Sequence, residues 1–521
     1  MFENMTLKEK VYQTFITYPY HISKEGTFEK FFEKHPCGGV YFAKHAVHDL
    51  AREMESGAIA PKDFVKNCRN ASKNPLIVCA DGCTIDDGCN PVSATAVAAT
   101  RNMEFAYNAG KTIGMQMNYN HVDWVLGPCT DMSLSRTNSS ISTTATDDAE
   151  LNAAMYSAYV RGIQDQGVAA TVKHFPGIGL YHVNFHYAPG KNTQSVEEWE
   201  ATYGKSYRAC FEAGCMCVMT SHLTFEAWSN KGDDGHFPIA TFSSDITIKL
   251  LKEHLGFKGA VVSDALIMGG MACGNQIEDS VQAFKSGADF LLWPPMETAD
   301  RIVEEIEKGN IPMSRLEDAL SRIERVRNFL NYKGKEREYA PVEKSFPEKN
   351  YKEVVDSSIA LIRNKAGLIP LNPNTHKKAL IIGVGRDENE MNGIKNLDEE
   401  LKSRGFETEF MEGLYSCWQD QVDAIQNKFD VVIVCYNIPL MSVDYCKICF
   451  STTWSVHLLD RDKTIFVNFK DPYFADDYFP EAKTFINTNT SGANTTIAKA
   501  VAECLVGERE FLGKSPVKLN F

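Results

Sequence analysis

Between residues 38 and 294 the chain repeats one pattern: a short run of apolar, β-branched or aromatic residues, then a longer stretch with helical spacing. The runs are GGVYF (38–42), LIVCAD (76–81), VDWVLGP (122–128), AATVKHF (169–175), CVMTSH (217–222), GAVVSD (259–264) and DFLLWP (289–294). That alternation predicts parallel strands joined by crossover helices. The helical pieces include ELNAAMYSAYVRGIQDQG (150–167) and SDITIKLLKEHLGFKG (244–259), the second with Ser244 and Asp245 as capping candidates. Seven strands are evident, and an eighth would close a (β/α)8 barrel.

A last helical pattern, MSRLEDALSRIERVRNFLNYK (313–333), is followed by GKEREYAPVEKSFPEKN (334–350), rich in charge and holding two prolines, which reads as a linker. Beyond it ALIIGVG (379–385), VVIVCYN (431–437), TIFVNF (464–469) and TFINTN (484–489) alternate with helical stretches. The expected fold class is α/β: a TIM-like barrel over 1–333, the linker 334–350, and a smaller α/β sandwich domain over 351–521. Gly383 and Gly385 follow a strand but lack the third glycine and the acid of a dinucleotide fingerprint, so they are read as a tight strand-to-helix turn.

Charge narrows the partners. With 54 Lys and Arg against 68 Asp and Glu, the formal net charge of −14 repels phosphate backbones and anionic lipid, so neither nucleic acid nor a membrane surface is expected. There is no apolar run of about 18 residues. The start, MFENMTLKEKVYQTF, is polar and amphipathic, unlike a secretory signal. The 15 cysteines, odd in number and scattered through apolar stretches, suit a reducing cytoplasm. Cys215 and Cys217, and the CxxC of Cys446 and Cys449, have no matching second pair and are read as thiols, not as metal ligands.

Polar residues end several of the apolar runs: Asp81, Lys173, His174, Ser221, His222 and Asp264. Barrel chemistry sits at the carboxyl ends of the strands, where such residues converge on one face. The segment KHFPGIGLYHVNFHYAP (173–189) sets a lysine and three histidines in a loop whose glycines and prolines give it an irregular path. In VVSDALIMGGM (261–271), Asp264 stands at a strand tip, well placed as a nucleophile or as the partner of a developing cation.

These two segments, together with EKVYQTFITYPYHIS (9–23), CGGVYFAKH (37–45), LIVCADG, LLKEHLGFKGAVVSDALIM and SSIALIRNKAGLIPL (357–371), resemble glycoside hydrolase family 3, on the side of its β-N-acetylglucosaminidase branch. The resemblance spans nearly the whole chain, with KHFPG and VVSDALIM its most specific parts. It implies a retaining, exo-acting hydrolase for a terminal β-linked amino sugar. Asp264 would be the nucleophile that forms a glycosyl-enzyme. Asp81, Lys173 and His174 would hold sugar hydroxyls, with Asn184 and His222 also in the substrate-binding set. The acid/base would be His186, on the flexible loop. No cofactor or metal is implied, because double displacement needs a nucleophile and a proton donor alone.

The chain departs from the family pattern in four places. The aspartate that normally pairs with the loop histidine is Asn184. An amide can orient an imidazole but does not stabilise its cation by charge, which predicts weak proton transfer unless another carboxylate substitutes. His182 is a second loop imidazole available for that role. Ile178 occupies the place of the second histidine in KHFPGHG, the arginine of a GTRSFG-like segment falls near Thr144 in SSISTTATDD (139–148), and CTIDDGC (83–89) replaces a GGRV segment. Losing both guanidinium forks removes multi-donor contacts to hydroxyls and to an N-acyl oxygen. Two alternatives therefore stay open: a glycoside phosphorylase or transglycosylase, and a catalytically weakened sugar-binding or regulatory protein on the same scaffold.

Overall fold

The computed structural model describes residues 2–54, 59–82, 92–136, 143–178, 180–271, 274–415, 418–438, 455–470 and 472–520. The segment 83–89, the 139–142 part of the Thr144 region and the Cys446/Cys449 pair lie outside the described residues. The chain divides into two compact units. One comprises Met1–Pro91, Ala106–Asn138 and Asn152–Pro347; the other comprises Val92–Phe105, Ser139–Leu151 and Glu348–Phe521.

In the first unit the strands are β1 (Phe15–Thr17), β2 (Gly39–Tyr41), β3 (Ile77–Ala80), β4 (Trp124–Val125), β5 (Ala169–Phe175), β6 (Gly190–Asn192), β7 (Cys217–Thr220), β8 (Leu223–Phe225), β9 (Ala260–Val262) and β10 (Leu291–Leu292). Eight of them form one parallel sheet in the order β10-β1-β2-β3-β4-β5-β7-β9, while β6 and β8 pair as a separate ribbon. A bridge from Val262 to Phe290 joins the ends of the eight, closing the barrel. All seven anticipated strands are present, most of them shorter than their apolar runs. The eighth is Phe15–Thr17, a three-residue strand in the amphipathic opening stretch, all of it buried.

The helices follow the patterns that announced them, at Ala149–Gln164, Asp245–His254 and Met313–Leu330. One local expectation is corrected. The hydroxyl that accepts an N–H at the start of the second helix is that of Ser243 (from Ile246, 3.3 Å), whereas Ser244 makes no capping bond and Asp245 accepts from Asn230 instead.

At the amino-terminal end of the barrel strands, Asp123 is wholly buried. Its oxygens accept from Arg69 (2.8 Å), Arg337 (3.2 Å), Tyr332 (2.6 Å), Tyr339 (2.6 Å) and the Val78 N–H (2.7 Å). The charged stretch read as a linker thus supplies Arg337 and Tyr339 to an anchor in this unit. A helix begins at Ser345.

The second unit is built on a six-stranded sheet of β11 (Ala360–Asn364), β12 (Lys378–Val384), β13 (Glu407–Glu412), β14 (Val431–Tyr436), β15 (Thr464–Asn468) and β16 (Thr484–Asn487), in the order β11-β16-β15-β14-β12-β13. All pairs are parallel except β11 with β16. Alternate side chains feed two cores. One packs Ile381, Ile433 and Ile465 against Leu397, Leu401 and Val501; the other packs Leu380, Val432 and Phe466 against Val422, Phe474 and Phe479. The strand 407–412 went unread because it is an edge strand in which every second or third residue is a glutamate, a composition that discourages edge pairing. Gly383 lies inside β12, opposite Glu412 and Cys435, so of the two glycines only Gly385 falls in the strand-to-helix turn; a Cβ on Gly383 would meet Phe410 and Met391 within 3 Å. The excursions 92–105 and 139–151 are tied into this unit by Thr95 to the Asn489 carbonyl (2.8 Å), the Lys514 N–H to the Ala99 carbonyl (3.0 Å) and the Lys518 N–H to Asp147 (2.9 Å).

Candidate active site

Asp81, Lys173, His174, His222 and Asp264 all lie at the carboxyl ends of barrel strands: after β3, near the end of β5, after β7 and after β9. Lys173 Nζ sits 2.8 Å from Asp81 Oδ1, and the Tyr41 hydroxyl, at the end of β2, donates to Asp81 Oδ2 at 3.1 Å. His174 Nδ1 lies 2.7 Å from Oδ2 of the fully buried Asp131, whose Oδ1 accepts the Ile178 N–H at 2.9 Å. Burial would lower the His174 pKa, but its hydrogen bonds to Asp131 and Cys129 outweigh it and push the value up to about 10, so His174 is a cation. Burial likewise works against the Lys173 charge, and Asp81 and Asp264 overcome it.

Asp264 is 4% exposed. Its Oδ1 accepts the Ala265 N–H at 2.8 Å, while Oδ2 is buried without a hydrogen-bond partner among the described residues. Burial alone would raise its pKa, yet the neighbouring basic groups hold it below the ordinary carboxylate value. Those groups are His174, His222 and Lys173, in that order. His222 is wholly buried, with Nδ1 3.1 Å from Thr241 Oγ1 and Nε2 3.1 Å from the Ala265 carbonyl. Both ring nitrogens are therefore occupied by protein, and the imidazole braces the segment that carries Asp264.

The loop after β5 returns to this cluster. Asn184 Oδ1 accepts both the His186 N–H (3.0 Å) and the hydrogen bond of His186 Nδ1 (2.7 Å). The Gly269 N–H donates to the His186 carbonyl at 2.9 Å, joining the loop to the segment after Asp264. Phe185 packs against His174 (5.2 Å between centroids) and, with Ile178 and Leu223, makes a small buried apolar cluster under the loop. Ile178, where a histidine was expected, thus serves packing. Burial draws the His186 pKa below its usual value; Asp264 opposes that, while His174, His222 and Lys173 reinforce it. His182 is exposed on the same loop.

Several contributors escaped the sequence reading. Asp131 orients His174 from six residues beyond the end of β4, although the habit of looking for acids past apolar runs would have found it in GPCTDM. Tyr41 and Tyr18 stack at 5.9 Å, and Trp293 packs edge-on against each at 4.9 Å, forming an aromatic rim beside Asp81. Trp293 has φ +62°, a left-handed conformation that a bulky residue rarely adopts. A cavity of about 650 Å³ lined by Tyr18, Ile267, Trp293 and Met296 opens next to the cluster without including Asp264.

The family profile described as "Glycosyl hydrolase family 3 N terminal domain" matches residues 6–326. The chain belongs to glycosyl hydrolase family 3. A family relative, the "Beta-N-acetylglucosaminidase/beta-glucosidase" of Cellulomonas fimi, is 26% identical over 491 residues, 87% of this chain and 85% of its own. Among solved structures of the family fold, "Beta-glucoside phosphorylase BglX" superposes with a TM-score of 0.82 at 24% identity, covering 99% of this chain and 94% of that one. The family 3 β-N-acetylglucosaminidase from Paenibacillus sp. str. FPU-7 gives 0.76 at 24% identity, with 99% of both chains covered.

Proposed function

We propose that this family 3 protein is a retaining exo-glycosidase for a terminal β-linked sugar, an amino sugar in the first instance, with Asp264 as nucleophile and His186 as acid/base. The observation that carries the reading is the bare Oδ2 of Asp264: an ionised, buried oxygen without a hydrogen-bond partner among the described residues. An oxygen so placed is available to the anomeric carbon. As its lone pair forms the new C–O bond, the glycosidic bond breaks and the departing oxygen takes a proton from His186 Nε2. Water then attacks the glycosyl ester, giving its proton to Nε2 and releasing Asp264. Asn184 holds the Nδ1–H throughout, which leaves Nε2 to serve both steps. Lys173, Asp81 and His174 are assigned to the sugar hydroxyls. Asn184 and His222 are assigned to positioning instead of sugar contact.

The printed activity of the Cellulomonas fimi relative supports the sugar class. A reducing compartment such as the cytoplasm fits the nine described cysteines, none of them in a disulfide. Incubation with an activated 2-deoxy-2-fluoro or 2-acetamido aryl β-glycoside is expected to leave a sugar ester on Asp264, read by peptide mass spectrometry. Turnover that persists in Asp264→Ala, with no adduct in the parent, would overturn the assignment; sugar binding without turnover would favour a binding protein.

One observation favours phosphate as a second acceptor. The loop partner of His186 is a neutral amide, so an incoming phosphate meets less negative charge there than beside a carboxylate. Release of sugar 1-phosphate, not free sugar, when inorganic phosphate is added would establish phosphorolysis.

A further inference from the structure

Cys129, Asp131 and His174 each offer one ligand atom, and the three atoms lie within 4.8 Å of one another. Sγ of Cys129 is 3.3 Å from Asp131 Oδ2, which is 2.7 Å from His174 Nδ1. Of the nine described cysteines, Cys129 alone is not fully buried. We propose that these three residues form a binding site for a thiophilic divalent cation of the zinc class, inside the candidate active site.

The donor set suits such an ion. Thiolate, imidazole and carboxylate are the ligand types zinc selects, and in a tetrahedral site its ligand atoms stand about 3.5 Å apart. The present separations require displacements of only a fraction of that length. On binding, the Cys129 thiol proton and the His174 Nδ1 proton leave, and the ion takes their places among the same atoms. Thiolate and carboxylate then balance the two charges of the ion, so no net charge is added to a buried location. The Ile178 N–H on Asp131 Oδ1 stays in place and fixes the carboxylate from outside the ligand set, as supporting partners do in metal sites. The fourth position is left to water or to a substrate oxygen.

Bound metal would turn the His174 ring and disturb the neighbourhood of Asp264, so reversible inhibition follows. That consequence rests on the reading of His174 as a sugar contact; the binding itself does not. The test is titration of the whole protein with zinc by calorimetry and with cobalt(II) by near-ultraviolet absorption, in the parent and in Cys129→Ser and Cys129→Ala. One equivalent of zinc, a cobalt–thiolate charge-transfer band, and loss of both in the variants, with affinity down at least about 10-fold, are expected. Binding and band unchanged in both variants, or no binding in the parent, would overturn the site. Cys129-dependent binding that leaves glycoside turnover untouched upholds the site and instead removes His174 from the sugar contacts.

Discussion

Two buried carboxylates stand at opposite ends of the barrel strands, and they are provisioned in opposite ways. Asp123 accepts from two arginines, two tyrosines and a backbone N–H. Asp264 accepts one N–H, and its second oxygen has no hydrogen-bond partner among the described residues. Both are held below the ordinary carboxylate pKa against the pull of burial, Asp123 chiefly by Arg69 and Arg337, Asp264 by His174, His222 and Lys173. A satisfied buried charge fixes structure; an unsatisfied one keeps lone pairs in reserve for a ligand. With Asp264 in its proposed role, the two ends of one barrel would separate stability from chemistry, in line with the general division of labour in this fold.

Removing each carboxylate tests that separation most severely. Asp264→Ala is expected to lower glycoside turnover at least about 10⁴-fold while leaving stability within about 1 kcal/mol of the parent, measured by steady-state rates and by urea unfolding. Asp123→Ala is expected to do the reverse, costing about 3–5 kcal/mol because Arg69 and Arg337 lose their counter-charge, with kcat per folded molecule kept. If Asp264→Ala unfolds the chain, or Asp123→Ala abolishes turnover in protein that is still folded, the comparison fails.

Replacing the amide beside His186 should sharpen it. In Asn184→Asp a carboxylate would stabilise the imidazolium, so substrates with poor leaving groups should turn over about 10-fold faster or more, while activated aryl glycosides change little. The pH profile carries the sign. His186 must be protonated to act as an acid, and its depressed pKa means that activity in the parent falls as pH rises through a value below 6.5. The variant should move that basic limb upward, with the acidic limb, set by Asp264 in its proposed role, still below the ordinary carboxylate range.

A pH test of stability applies at the other end. Because the folded-state pKa of Asp123 is depressed, its contribution is complete above the ordinary value near 3.8 and is lost as pH falls through the folded value. Asp123→Asn should remove that part of the acid sensitivity in melting curves recorded between pH 6 and about 3.

The smallest effects come from one chemical edit made at both ends. Tyr41→Phe deletes the hydrogen bond to Asp81 and should raise KM about 5-fold with little change in melting, whereas Tyr339→Phe deletes one of several bonds to Asp123 and should cost about 1 kcal/mol of stability at unchanged kcat/KM. Exchange of those two outcomes would invert the assignment of the barrel ends.

Much of this was readable in the chain because the barrel strands are buried on both sides and appear as unbroken apolar runs, and because a polar residue after such a run must lie at the carboxyl end of a strand. That logic located Asp81, Lys173, His174 and Asp264. It missed Asp131, which lies in irregular chain beyond a two-residue strand, and β1, three residues long in a stretch with helical spacing. It also passed over Asp123, an acid inside the apolar run VDWV whose partners Arg69, Tyr332 and Tyr339 lie 54, 209 and 216 residues away. The sequence by itself determined seven of the eight barrel strands, the converging polar residues and the amide next to His186, since these follow from periodicity and residue identity. Tertiary structure alone decided which oxygen of Asp264 is bare, that both nitrogens of His222 are occupied, and that Cys129 faces Asp131 and His174, because each depends on distances between side chains that no local pattern encodes.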